Sequence, residues 1–254
     1  RVQDAKVRYA LPNGKTLEAV KGVSFDLKAG ESVAIVGESG SGKSSLARAI
    51  LGLEKLAGGE IALDGLSPTA AAVRAFRRQV QLVFQDPFGS FDPRWQVERL
   101  VTEPLHLLDE KIAPRDARLR ATQALEDVGL GADALGRFPH EFSGGQRQRI
   151  AVARALMIKP KLVVFDEAVS ALDVTTRARV LELLAALRTQ HNLAYLFITH
   201  DLHVARAIAE RIIVMREGAV VEEGLTADVF AAPRADYTKT LLDASPDLAS
   251  VLAR

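Results

Sequence analysis

An α/β fold built around a largely parallel sheet follows from three observations in this sequence. Short apolar runs bounded by turns alternate with stretches of helical periodicity. One such run leads straight into a glycine-rich loop and then a helix. A long helical stretch interrupts the alternation midway, after which strand-like runs resume. The chain has 254 residues, 48% of them hydrophobic, enough to bury a sizeable core in one large domain or two closely packed lobes.

The elements follow in order. Val2 to Tyr9 and Val23 to Leu27 alternate apolar and polar residues around turns at Pro12-Asn13-Gly14 and Ala29-Gly30, the pattern of a small antiparallel layer over 1–31. Ser32 to Val36 is a nearly continuous apolar run, the mark of a buried strand, and the helix after the glycine loop places Leu46, Ile50 and Leu53 on one face. Ile61-Ala62-Leu63 ends at the turn Asp64-Gly65, and Val80 to Phe84 is another short strand, closing on Gln85. These elements begin a core over 32–85. From 86 to 158 turns and helical periodicity take over, with helices expected over Trp95 to Leu108, Pro114 to Val128 and Ser143 to Met157. The core resumes over 159–224 with strands at Leu162 to Phe165, Ala194 to Thr199 and Arg211 to Met215, separated by helices around Thr175 to Thr189 and Leu202 to Glu210. A tail over 225–254 carries Pro233 and Pro246 around a short helical pattern, and no internal repeat is visible.

Composition excludes several classes. Lys plus Arg number 33 against 32 Asp plus Glu, a formal charge of +1, so no field draws nucleic acid and none is expected as a partner. Without cysteine there is no disulfide, no thiolate nucleophile and no cysteine-held metal cluster, which suits a reducing compartment. Every apolar stretch is broken well before the length of a membrane span, so the chain is expected not to cross a bilayer. No signal-peptide pattern is present, and Arg1 in place of methionine is expected of one part of a longer polypeptide.

Three motifs carry chemistry. Gly37-Glu38-Ser39-Gly40-Ser41-Gly42-Lys43-Ser44 satisfies G-x-x-x-x-G-K-S/T with a strand before it and a helix after it. Glycines let the backbone N–H groups close on phosphate oxygens, the helix N-terminus adds favourable charge, and Lys43 neutralises the β- and γ-phosphates. Ser44 is placed for a magnesium shell completed by phosphate and water oxygens. The candidate nucleotide contacts are Gly37, Ser39, Gly40, Ser41, Gly42, Lys43, Ser44 and Ser45, and the ligand is ATP with magnesium. The competing reading is a flexible glycine turn. Leu162 to Phe165 then delivers Asp166 and Glu167 to the end of a buried strand, where α/β sheets present ligands. Asp166 suits the magnesium, and Glu167 suits polarisation of the attacking water, although an acidic pair alone is often a solvated turn. Phe142-Ser143-Gly144-Gly145-Gln146 opens a helix with capping-box spacing and two glycine N–H groups at its positive end. Both an anion site and an ordinary capped helix remain open for it.

Together these residues resemble the nucleotide-binding subunit of ATP-binding-cassette transporters, over nearly the whole chain. The resemblance implies a P-loop NTPase (RecA-like) core, an N-terminal antiparallel β layer and an inserted helical lobe carrying the signature motif. It implies that Gln85 links the γ-phosphate and magnesium site to the helical lobe and permease, that His200 contacts the γ-phosphate, and that Asp173 of Ser170-Ala171-Leu172-Asp173 meets a partner subunit. Tyr9 takes the place of the aromatic residue against adenine. Gln85, His200 and Tyr9 each have a plainer reading: a polar strand end, a structural histidine, a half-buried strand tyrosine. In a head-to-tail pair, Ser143 and Gly145 of one chain would cap the γ-phosphate held by the other, with Gly144 and Gln146 beside them.

Finer likeness lies in Phe84-Gln85-Asp86-Pro87-Phe88-Gly89-Ser90-Phe91-Asp92-Pro93-Arg94, in Pro139-His140-Glu141 and in Tyr237-Thr238-Lys239-Thr240-Leu241-Leu242, which resemble the oligopeptide, dipeptide and nickel importer branch. That branch implies a second nucleotide-binding domain, two permease subunits, an extracytoplasmic binding protein, and a peripheral place on the cytoplasmic face of the bacterial inner membrane. The chain departs from the family at Phe142, where leucine is common, at Ala168, where proline often follows the glutamate, and in lacking a cysteine-rich tail. The alternatives are a soluble ATPase of the same fold acting on ribosomes or DNA, and a non-hydrolysing regulatory module. The first lacks its long charged insertion or basic patch here, and the second is disfavoured by the intact acidic pair and His200.

Overall fold

The computed structural model describes residues 1–12 and 14–244; Asn13 of the expected turn and Pro246 of the tail lie outside the described residues. In chain order the elements are β1 Val2–Ala10, β2 Thr16–Phe25, β3 Ser32–Val36, α1 Lys43–Ile50, β4 Gly58–Ile61, α2 Val73–Gln79, β5 Val80–Val83, α3 Val97–Thr102 and α4 Pro114–Asp127. There follow α5 Gly144–Leu156, β6 Leu162–Asp166, α6 Val174–His191, β7 Ala194–Thr199, α7 Leu202–Ile208, β8 Arg211–Arg216, β9 Ala219–Leu225, α8 Thr226–Ala231 and α9 Asp236–Ala244. Among the described residues no helix is long and apolar enough to cross a membrane.

Two compact units divide the chain, with the division falling inside β7. The first comprises Arg1–Ala62 and the chain from Leu196 onward. It holds an antiparallel sheet in the order β2-β1-β4, in which Val7 and Val20 pair and are both buried. It also holds β3 parallel to β8, in register from Val33↔Arg211 to Val36↔Val214. Every residue of β3 is buried, which is why that strand reads as an unbroken apolar run. β9 returns antiparallel to β8 through Glu217 and Gly218, whose φ values of 51° and 83° suit a tight two-residue hairpin.

The second unit, Leu63–Tyr195, holds β5 parallel to β6 from Val80↔Leu162 to Val83↔Phe165. α3, α4 and α5 pack on one another, and α5 also packs on β5 and α6. Pro114 starts α4 at a position where its missing N–H is not needed. The apolar side chains buried along α5 are Ile150, Ala151, Val152, Ala153 and Ala155, on nearly every face of its second half. Beside these helices the rings of Phe165 and Tyr195 meet edge to face with centroids 5.0 Å apart.

Several expectations shift. Leu53 does not lie on α1: Gly52 takes the left-handed position that ends helices, with φ 66°, and Leu53 is 55% exposed beyond it. The strand expected at 61–63 stops at Ile61, while Leu63 bridges to Leu66 around the Asp64-Gly65 turn. The expected helix from Trp95 divides into α3 and a 3-10 segment, Glu103–Leu107, with Pro104 within its first turn. α2 and β9 are elements that the periodicity did not single out.

Candidate functional site

The loop between β3 and α1 is shaped by three glycines at positive φ: Gly37 at 152°, Gly40 at 81° and Gly42 at 101°. A Cβ on Gly37 would sit 2.2 Å from the Met215 carbonyl oxygen, and one on Gly42 would sit 2.2 Å from that of Ala19. The loop is thus wedged between β8 and β2, and the hairpin turn braces it, since Gly218 N–H donates to the Ser41 carbonyl at 2.9 Å. Around Gly40, by contrast, nothing lies within 4 Å of the Cβ position, so that stretch of backbone faces open space. Gly42 caps α1 without a side chain, which leaves the first-turn N–H groups available to an anion.

Lys43 is 5% exposed. Its ammonium donates to the carbonyls of Gly37 at 2.7 Å and Glu38 at 2.8 Å, and to Ser41 Oγ at 3.3 Å. A buried cation held on the loop's own oxygens gives the cradle a positive floor. Ser39 and Ser44 are exposed, and Ser45 is half-buried. Tyr9 of β1 donates its hydroxyl to Ser45 Oγ at 3.3 Å, so the structure brings these two predicted contacts together. His200 follows β7 on the exposed side. The backbone next to it is held by Asp201, whose N–H donates to Thr199 Oγ1 at 3.0 Å and whose Oδ1 accepts the His203 and Val204 amides at 2.9 and 3.3 Å.

In the second unit, β6 ends at Asp166 and the next residue, Glu167, adopts φ 51°, a left-handed conformation costly for a residue with a Cβ. Ser170 holds it there. Its N–H and its Oγ both donate to the Glu167 carbonyl, at 3.1 and 2.8 Å. The same hydroxyl accepts from Gln85 Nε2 at 3.3 Å. Gln85 is therefore joined to the backbone of Glu167 through one serine. Ser170 was in view in the sequence only as the start of the segment carrying Asp173. Ala168 is buried at 4%, and the unusual backbone angle belongs to the glutamate before it.

Asp173 caps α6, accepting from Thr176 N–H at 2.9 Å. Hydrogen bonds from the Thr176 backbone and side chain hold its carboxyl below the usual carboxylate range. Ser143 caps α5 with the expected reciprocal pair: Ser143 N–H donates to Gln146 Oε1 at 2.9 Å and Gln146 N–H to Ser143 Oγ at 3.3 Å. The two glycines after it differ. A Cβ on Gly145 would stand 2.4 Å from Thr176 Cγ2, whereas one on Gly144 would make an ordinary contact, 3.8 Å from Leu172. Close packing on α6 accounts for Gly145, while packing gives no reason for Gly144.

This difference is measurable. Gly145→Ala is expected to lower the melting temperature through about 1–3 kcal/mol of overpacking, and Thr176→Ser, which deletes the offending methyl, is expected to restore it. Gly144→Ala is expected to be neutral or to stabilise by up to about 1 kcal/mol. Equal melting temperatures for the two single variants would contradict the packing account.

Among the described residues no group of three or more His, Asp or Glu side chains could by itself hold a metal ion. A cation bound with a nucleotide instead takes most of its oxygens from phosphate and water, and the exposed Ser44 hydroxyl in the first unit and the strand-end Asp166 carboxylate in the second are each oxygen donors of the right hardness. A cavity of about 670 Å³ in the second unit is lined by residues of α4, the 156–160 stretch and 190–193. None of the residues singled out above lines it.

Comparison with known proteins bears on these features. The family model described as ABC transporter matches residues 20–170. The chain is 45% identical over 240 residues to the peptidoglycan transport ATP-binding protein YejF of Agrobacterium fabrum, covering 92% of this chain and 43% of that protein. It is 43% identical over 256 residues to the oligopeptide transport ATP-binding protein OppF of Salmonella typhimurium, covering 96% and 77%. The chain spans about two fifths of the length of the first curated relatives it matches, 43% and 41%. Among solved structures, the dimeric bacterial ABC transporter cassette MJ0796 matches with a TM-score of 0.79 at 30% identity, over 89% of this chain and 97% of that one.

Proposed function

This chain belongs to the ABC transporter family, and from that membership we propose that it binds ATP with magnesium, hydrolyses it as one of a head-to-tail pair, and so powers import of a peptide-like cargo through a membrane permease. The observation that carries the reading is the Gly37–Ser44 loop, where a buried ammonium lies beneath a backbone in which Gly37 and Gly42 leave no room for side chains. Such a loop suits a triphosphate and few other ligands. In this proposal Lys43 keeps its bond to the Gly37 carbonyl and turns its other N–H groups from Glu38 and Ser41 to the β- and γ-phosphates, and the α1 amides take the remaining oxygens. Ser44, Gln85 and Asp166 hold magnesium, which when bound neutralises phosphate charge. Glu167 accepts a proton from the attacking water, with its backbone direction set by Ser170. His200 donates to the γ-phosphate, and Tyr9 stacks on the base.

Ser143 to Gln146 complete the partner's site and Asp173 faces the partner, so each chain carries two half-sites and ATP holds the pair together. Two comparisons support the pair: MJ0796 is dimeric, and one of its structures is a post-hydrolysis state bound to ADP and Pi, matching this chain with a TM-score of 0.78. The names of YejF and OppF, transport ATP-binding proteins for peptidoglycan and oligopeptide, support a peptide-like cargo; a permease partner fed by an extracytoplasmic binding protein and a peripheral place on the cytoplasmic face of the inner membrane belong to the same proposal.

The test is the order of the reaction in protein. If two chains build each site, the MgATP hydrolysis rate per chain is expected to rise with chain concentration and level off once pairs predominate by light scattering. A rate per chain that stays flat while the protein remains monomeric would overturn the paired mechanism.

A further inference from the structure

The Gly37–Glu38 peptide group is held at both of its ends. Its carbonyl accepts from Lys43 Nζ at 2.7 Å. Its N–H donates to the hydroxyl of Tyr237, 199 residues further along the chain, at 3.1 Å. Tyr237 lies in the first turn of α9; it opens one of the segments that carry the branch resemblance but has no part in the chemistry of the proposed function. One planar amide thus joins a C-terminal tyrosine to the buried ammonium, and hydrogen bonds in such a series polarise one another.

The tyrosine is itself well seated. Its ring is half-buried, and the Arg216 guanidinium lies 4.9 Å from its centroid. The chain entering α9 is fastened to β9 by Glu222, a residue only 8% exposed, which accepts the Arg234 and Ala235 amides at 2.8 and 3.0 Å. Burial works against the ionised form of Glu222, but the nearby Thr238 hydroxyl and the Arg234 and Ala235 amides outweigh it and hold its pKa below the ordinary value. Met215, whose carbonyl excludes a side chain at Gly37, directly precedes Arg216. The end of β8 therefore supports both the phosphate loop and the tyrosine that grips it.

We infer that Tyr237 is a positioning residue for the phosphate loop: by fixing the Gly37–Glu38 peptide it holds Lys43 ready for phosphate, and the seating of α9 thereby sets nucleotide affinity. This rests on the reading of Gly37–Ser44 as a triphosphate cradle. Lifting α9 frees the peptide to rotate and the ammonium to wander, and reseating it restores the cradle. The C-terminal segment is in this way a regulatory input to ATP binding.

Tyr237→Phe keeps the ring and its stack with Arg216 and deletes one hydroxyl, so it isolates the link. MgATP binding to wild type and variant is compared by calorimetry at a temperature where both are fully folded. The expected result is a dissociation constant raised about three- to tenfold, the scale of one net hydrogen bond, with the melting temperature of the nucleotide-free protein within about 2 °C of wild type. Equal MgATP affinity of the two proteins overturns the positioning role, whatever the melting temperatures. Failure of the wild-type chain to bind MgATP at all would instead refute the triphosphate reading beneath it.

Discussion

Glu167→Gln is expected to lower MgATP turnover by about a hundredfold or more, the usual worth of a positioned general base, while leaving MgATP binding close to wild type. Glutamine has the size and most of the hydrogen-bonding reach of glutamate but cannot take a proton at neutral pH. The backbone that aims it is independent of the side chain's charge, because the left-handed φ of 51° is held by the two hydrogen bonds from Ser170 to the residue's carbonyl. Chemistry should stop with the site still assembled. In the proposed site the substitution also removes a carboxylate from beside the triphosphate and relieves like-charge repulsion, so ATP-bound pairs should accumulate and appear by light scattering as a stable dimer at concentrations where wild type is still mostly monomeric. Hydrolysis at the wild-type rate by purified Glu167→Gln protein would remove Glu167 from the role of base and pass it to another group, with Asp166 and His200 the candidates among the residues singled out.

The sequence reached much of this molecule because its strongest signals are local. β3 runs over the expected Ser32–Val36 because a strand buried along its whole length must be apolar at every position. The loop after it was legible because close backbone approach to phosphate requires glycine, whatever surrounds it. What stayed hidden depends on residues distant in the chain. Gly37 is held by Met215 and Tyr237, Gly42 by Ala19, and Ser41 by Gly218; none of these partners lies within 20 residues of the one it holds. β9 was missed because its hairpin turns on Glu217-Gly218 in place of the usual Asn-Gly or Asp-Gly. The left-handed angle at Glu167 has no signature in composition. For the Ser143–Gln146 cap the sequence left an anion site and a plain helix start both open. Packing now explains Gly145 through Thr176, and Gly144 is the glycine still without a structural reason.

The glycines of the phosphate loop make the sharpest stability prediction, because two of them share a backbone requirement but not a steric one. Gly37→Ala places a methyl 2.2 Å from the Met215 carbonyl at a φ of 152° that only glycine adopts comfortably. Neither group can give way cheaply: Met215 lies in β8, which is paired to both β3 and β9, and Gly37 is pinned through its own peptide by Lys43 and Tyr237. Overpacking of about 1–3 kcal/mol adds to backbone strain of about 1–3 kcal/mol, and the displaced peptide takes the Lys43 anchor with it. Gly40→Ala meets nothing within 4 Å and carries only the cost of φ 81°, about 1–2 kcal/mol. At about 2–4 °C of melting temperature per kcal/mol for a chain of this size, Gly37→Ala should melt roughly 5–20 °C below wild type and lose MgATP binding, with Gly40→Ala falling less than half as far. Equal losses in the two variants would mean that the loop relaxes around a side chain at Gly37, and the rigid cradle on which the triphosphate reading depends would have to be given up.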